Sequence, residues 1–111
     1  MGYLVMVDNK QIIAILRGIT PEDAVPHIAC LVEQGIHRIE ITTNSPNWEI
    51  SLRQVRHRFG NDIQLGVGTV TTEDQVQRSF AAAADFILTP NLNPAVIAQG
   101  TCSVRGGVFA E

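Results

Sequence analysis

The chain has 111 residues, a net charge of −3, 45% hydrophobic residues and a mean hydropathy of +0.12. That suits one globular domain with a modest core and excludes a disordered chain. No basic patch marks a nucleic-acid or membrane surface, and no apolar run is long enough to span a bilayer. The opening MGYLVMVDNK is apolar but carries Asp8 with no Lys or Arg ahead of it, which makes a poor signal peptide. Met6 stands where a myristoylation signal wants Ser or Thr, so a cytoplasmic location is expected.

One rhythm then runs through the sequence, a short apolar run followed by a helical pattern. Residues 12–17, IIAILR, are read as the first strand. Thr20-Pro21-Glu22-Asp23 reads as a helix start, with Thr20 as cap and Pro21 in the first turn. Val25, Ile28 and Val32 form its apolar stripe, Gly35 ends it, and Pro26 removes an internal hydrogen bond. Residues 37–43 are the second strand. Residues 47–59 are the second helix, with Trp48, Leu52, Val55 and Phe59 on one side and Gly60 as its stop. Residues 63–70, IQLGVGTV, are the third strand, and Thr72-Glu73-Asp74-Gln75 is a capping box. Val76, Phe80 and Ala83 are expected on the inner face of the third helix. Residues 85–89 are the fourth strand, stopped by Pro90, and Asn93-Pro94 opens a short fourth helix that ends at Gly100.

Strands alternating with helices across short connections imply a parallel sheet, either open and doubly wound or part of a (β/α)8 barrel. No GxGxxG follows the first strand, which weakens a dinucleotide-binding fold. Gly66 and Gly68 lie within a strand, where glycine usually marks close backbone approach or a tight bend.

Polar residues gather at the carboxyl ends of the strands: Arg17, then Glu40 and Thr42, then Thr69, then Thr89. In parallel α/β folds the chemistry collects at that end, because the βα loops converge there. An arginine and a carboxylate among these residues point to an anionic substrate and an acid–base group. Arg17 also reads as an ion-pair partner of Glu40, and Thr69 and Thr89 as ordinary β-branched strand residues. Glu40 is the least ordinary of the set. It faces opposite to Ile39 and Ile41 in an apolar strand, where an unpaired carboxylate costs several kcal/mol or takes up a proton. Cys30 and Cys102, with His27, His37 and His57, show no metal-ligand spacing, and Cys30 reads as a reduced thiol packed in the core.

The blocks IIAILRGITPEDAV, IEITTNSPNWEISL, GVGTV and ILTPN, in this order, resemble the N-terminal half of the 2-keto-3-deoxy-6-phosphogluconate (KDPG) aldolase family. Asn44, where the gluconate branch usually carries an arginine, favours the galactonate branch, the 2-dehydro-3-deoxy-6-phosphogalactonate aldolases. The resemblance implies a class I aldolase on a (β/α)8 barrel that splits a phosphorylated 2-keto-3-deoxy sugar acid into pyruvate and glyceraldehyde 3-phosphate. It implies no metal or organic cofactor; a homo-oligomer is expected on separate grounds, from the open sheet edges of a half barrel. A lysine on the sixth strand forms the Schiff base in the family. Glu40 matches the proton-moving glutamate, Arg17 the substrate-holding arginine, and Thr69 the threonine near the pyruvate carboxylate.

The family barrel takes about 200 residues, so residues 1–111 are read as its N-terminal half. Lys10 is the only lysine and precedes the first strand, so the sixth-strand lysine is expected to be missing. The stretch TCSVRGGVFAE, residues 101–111, reads as a divergent or truncated tail, and Arg105-Gly106-Gly107 as a loop. Ala83 occupies a position where the family tends to end a helix with Gly, which suggests a different ending here, and Pro26 is also unusual. A half barrel would expose its first and last strands and its inner face, which predicts self-association. Three readings stay open: an aldolase by descent, a non-catalytic half barrel that assembles, and a barrel enzyme of another chemistry.

Overall fold

The computed structural model describes residues 2–8, 11–89 and 108–110. Lys10, Pro90, the expected helix at 93–100, Cys102 and the Arg105–Gly107 loop lie outside the described residues. The elements are β1 (Gly2–Asp8), β2 (Gln11–Arg17), α1 (Pro21–Glu33), β3 (Arg38–Thr42), α2 (Trp48–Phe59), β4 (Gln64–Gly68), α3 (Glu73–Ala81), β5 (Phe86–Thr89) and β6 (Val108–Ala110). They form one sheet in the order β1-β2-β3-β4-β5-β6. Strands β2 to β6 run parallel and β1 pairs antiparallel with β2. This is the parallel α/β arrangement of a partial barrel.

Two strands go beyond the sequence reading. Residues 2–8, read there only as an apolar opening that makes a poor signal peptide, pair along the whole of β2, from Gly2 opposite Arg17 to Asp8 opposite Gln11. The edge of β2 that was expected to lie open is therefore covered. Within the tail, Val108–Ala110 pairs with Ile87–Thr89.

Alternation divides each strand between two faces. Ala14, Leu16, Ile39, Ile41, Leu65, Val67 and Ile87 share a core with Ile28 of α1 and Leu52, Val55 and Phe59 of α2. Fully burying a side chain of this kind contributes about 1.5–3 kcal/mol. Ile15, Glu40, Gly66 and Phe86 are in register on the other face. That inner face was expected to be uncovered, but Ile15, Glu40 and Phe86 are only 4%, 0% and 4% exposed.

The helices depart from the reading where rotation about their own axes decides burial. Helix α1 buries Ala24 and Ile28, which leaves Cys30, two positions on, exposed rather than in the core. Thr20 is its N-cap without a side-chain hydrogen bond, whereas Thr72 Oγ1 does accept from Gln75 N–H, at 3.1 Å. Helix α3 presents Val76 and Ser79 to the sheet, followed by Ala82, and turns Phe80 outward, 53% exposed, against the expectation that it faced inward. Ser79 saves its hydroxyl from isolation by donating to the Gln75 carbonyl at 2.7 Å. Ala83 is exposed and takes φ +67, so the helix ends through a left-handed residue even without glycine. Arg78 ties α3 to α2, with its guanidinium 5.3 Å from the Trp48 ring centroid and paired with Glu49.

Candidate functional site

Glu40 is the centre of the inner face. Strand β3 carries it between Ile39 and Ile41, whose side chains commit to the helix side, so period-2 geometry sends the carboxylate inward. Its register partners are Ile15 and Gly66, and the side chain leans toward the carboxyl end of β4. A Cβ built on Gly68 would overlap the Glu40 carboxylate, and one built on Gly66 would overlap the Phe86 ring. The glycines of the GVG run are therefore close-approach positions. Any side chain at Gly68 would occupy the space the Glu40 carboxylate takes.

Arg17 ends β2, one strand away and one pleat nearer the rim, and is exposed. Among the described residues the ion pairs are Arg56–Asp85, Arg78–Glu49 and Arg78–Asp74, and none includes Arg17. The alternative of an Arg17–Glu40 pair is thus not adopted. Thr69 follows the last residue of β4 with φ +59. For a β-branched residue the left-handed region is an outlier, at a cost of about 1–3 kcal/mol. Thr42 shares the face of Glu40 and is buried. Thr89 does not join this set. It lies two residues beyond Ile87, which places it on the helix-facing side of β5.

The loop after β3 binds these strand ends together. Thr43 N–H donates to the Gly68 carbonyl at 3.0 Å, and Thr43 Oγ1 donates to the Thr69 carbonyl at 2.7 Å. Thr42 Oγ1 donates to Asn44 Oδ1 at 2.5 Å. Ser45 Oγ accepts from Gly18 N–H at 2.9 Å, next to Arg17. Its single proton is shared between Thr42 Oγ1, at 3.0 Å, and the Leu16 carbonyl, at 3.4 Å. On the far side Val70 N–H donates to the Leu88 carbonyl at 3.0 Å. Thr43 and Ser45 were not singled out from the sequence. A Thr-Thr-Asn-Ser run after a strand does signal local side-chain-to-backbone bonding, but the partners, 26 and 27 residues away, are not written there.

The arrangement offers a carboxylate withdrawn from solvent, an exposed arginine at the end of the neighbouring strand and a threonine held in a strained turn. Such a set is suited to receiving an anion and moving a proton close to it. Among the described residues, no three His, Cys, Asp or Glu side chains stand together as metal ligands, and no helix is long and apolar enough to cross a membrane.

Comparison with known proteins gives a consistent outcome. The family described as KDPG and KHG aldolase matches residues 5–105. The 2-dehydro-3-deoxy-6-phosphogalactonate aldolase of Escherichia coli (strain K12) is 38% identical over 86 residues, which cover 78% of this chain and 42% of that protein. A solved structure of native KDPGal superposes with a TM-score of 0.82 at 35% identity, covering 88% of this chain and 47% of that one. The KDPG aldolase of Legionella pneumophila, with pyruvate captured as a covalent carbinolamine intermediate, superposes with a TM-score of 0.78 at 26% identity, covering 86% and 46%. The chain spans about two fifths of the length of the curated relatives it matches.

Proposed function

Because the chain belongs to the KDPG and KHG aldolase family, we propose that it carries the acid–base and 2-keto-acid-holding part of a class I aldolase site. The observation that carries this reading is the buried Glu40 carboxylate lying over Gly68, with Arg17 two positions and Thr69 three positions further toward the rim on the two flanking strands. The substrate is a phosphorylated 2-keto-3-deoxy sugar acid of the galactonate series, and the products are pyruvate and glyceraldehyde 3-phosphate. The identity to a 2-dehydro-3-deoxy-6-phosphogalactonate aldolase supports that choice, as does Asn44.

In this reading Arg17 pairs with the substrate carboxylate and Thr69 hydrogen-bonds it. Glu40 takes the proton from the hydroxyl on the aldehyde side, by way of water, as the carbon–carbon bond breaks, and returns a proton to the pyruvyl carbon. The electrons of that bond need an acceptor, which in a class I aldolase is an imine on a lysine. The carbinolamine captured in the Legionella enzyme supports an amine-based route. Lys10 is the only lysine among these 111 residues, and it falls between Asp8 and Gln11, which pair at the amino end of β2. The chain alone therefore lacks the imine-forming group and does not turn over. The reaction uses no metal or organic cofactor, and the protein acts in the cytoplasm.

A second reading is a non-catalytic half barrel that self-associates through its sheet edges. It is favoured by the described sheet, which begins at β1 and ends at β6 rather than closing.

Reductive trapping tests the first reading. The purified chain is incubated with pyruvate and borohydride and weighed by mass spectrometry, with Lys10→Arg as control. No adduct is expected. An adduct that disappears in Lys10→Arg would overturn the reading and assign Lys10 the role of the imine-forming amine.

A further inference from the structure

We propose that Thr43 is a positioning residue, which holds the Thr69 backbone in its left-handed conformation and so fixes how Thr69 presents its hydroxyl to a 2-keto acid. Its bearing on substrate rests on the proposed function above; its bearing on the Thr69 backbone does not.

Two turns at the rim differ in their local chemistry. Left-handed turns are ordinarily given to Gly, Asn or Asp, and the turn beside Arg17 follows that rule with Gly18 at φ +80. The turn after β4 instead holds a β-branched threonine at φ +59. A β-branched residue persists there only when its surroundings over-determine it. The surroundings are identifiable. Thr43 grips the turn twice, with its N–H on the Gly68 carbonyl at 3.0 Å and its hydroxyl on the Thr69 carbonyl at 2.7 Å, so the peptides on both sides of the Thr69 Cα are held. Val70 N–H on the Leu88 carbonyl closes the far side. The backbone bond from Thr43 would survive any substitution except proline. The hydroxyl bond depends on residue type and is the part that sequence can remove.

The latch also links the site to itself. Thr43 lies three residues after Glu40 on the same segment. A shift of the loop after β3 would therefore carry both the proton-moving carboxylate's strand and the Thr69 turn, which keeps their spacing constant.

The test reads residue 69 directly. One-bond Cα–Hα couplings and Cα/Cβ shifts of the labelled chain separate positive from negative φ. The native chain and Thr43→Ser, which keeps the hydroxyl, are expected to show the left-handed signature at Thr69. Thr43→Val, which keeps the shape and drops the hydroxyl, is expected to lose it, and Thr43→Val combined with Thr69→Gly, read by denaturant unfolding, is expected to be more stable than Thr43→Val alone. Retention of the full native signature in Thr43→Val would overturn the proposal. If Thr43→Val alone does not fold, the double variant, in which glycine removes the strain, is expected to fold; an unfolded double variant would equally overturn it. Pyruvate titration is followed on the same spectra. Loss of one neutral hydrogen bond predicts an affinity about three- to tenfold weaker in Thr43→Val and near native in Thr43→Ser. If pyruvate moves no resonance of Thr69 in the native chain, the 2-keto-acid reading falls, and the couplings still decide the role of Thr43.

Discussion

The two ends of the sheet handle polar groups in opposite ways. At the foot, where the strands begin, Arg56 gives its donors to protein oxygens: the Gly60 carbonyl at 2.7 Å, the Ala83 carbonyl at 2.9 and 3.2 Å, and Asp85 Oδ2 at 2.7 Å. Asp85 in turn accepts from Leu65 N–H at 3.0 Å, and Arg38 donates to Gln64 at 2.6 Å. Arg56, Ala83 and Asp85, with Asn61, Phe80 and Ala84, line a cleft of about 300 Å³ in which the arginine and the aspartate pair with each other. At the rim, hydroxyls and backbone make the fastenings, while Arg17 stays exposed and outside the described ion pairs. A charged cluster that is internally satisfied closes a fold. Arg17, exposed and in none of the ion pairs among the described residues, is open to a partner from solution.

That contrast can be broken most severely at Gly68. Gly68→Ala puts a methyl group where the Glu40 carboxylate lies, and in a buried site such overpacking is expected to cost about 3 kcal/mol. Denaturant unfolding measures it, and Glu40→Ala in the same chain should recover most of the loss. If Gly68→Ala is as stable as the native chain, the close approach that defines the site is wrong. At the foot, Arg56→Met removes a partly buried partner of Asp85 and the donors to two carbonyls, with an expected cost of about 2 kcal/mol, discounted for the exposure of the pair. Rim resonances such as those of Thr43 and Ser45 should stay in place. Movement there would mean that the two ends are not independent. The smallest effect has the opposite sign. Ala83→Gly relieves a left-handed alanine at the edge of the foot cleft and is expected to add about 0.5 kcal/mol, read as a small rise in Tm.

Much of the fold was legible because its signals are local. The apolar runs, the Thr72 cap and the positive φ of Gly35 and Gly60 need no knowledge of distant contacts. The inward turn of Glu40 follows from its neighbours Ile39 and Ile41, and the glycines at 66 and 68 announced a close approach without naming what approaches. The errors share a different cause. Cys30 and Phe80 were placed by type or by helical spacing, whereas the rotation of a helix decides their face. Strand β1 was missed because a short, mostly apolar run ending in Asp8 does not by itself announce a hairpin partner. The match of Arg17, Glu40 and Thr69 to functional positions came from resemblance, and their roles remain for the trapping and titration experiments.

Residue type and short-range periodicity carry the βα rhythm, the family, the face of Glu40 and the presence of a single lysine. Contacts across the sheet add the rest: Gly68 makes room for the carboxylate, Arg17 forms no ion pair with it among the described residues, and Thr43 and Ser45 fasten the neighbouring strand ends. The Thr43–Thr69 and Ser45–Gly18 hydrogen bonds join segments 26 and 27 residues apart in the chain. A hydroxyl in a loop can meet many carbonyls, and the register of the parallel strands selects which one it meets.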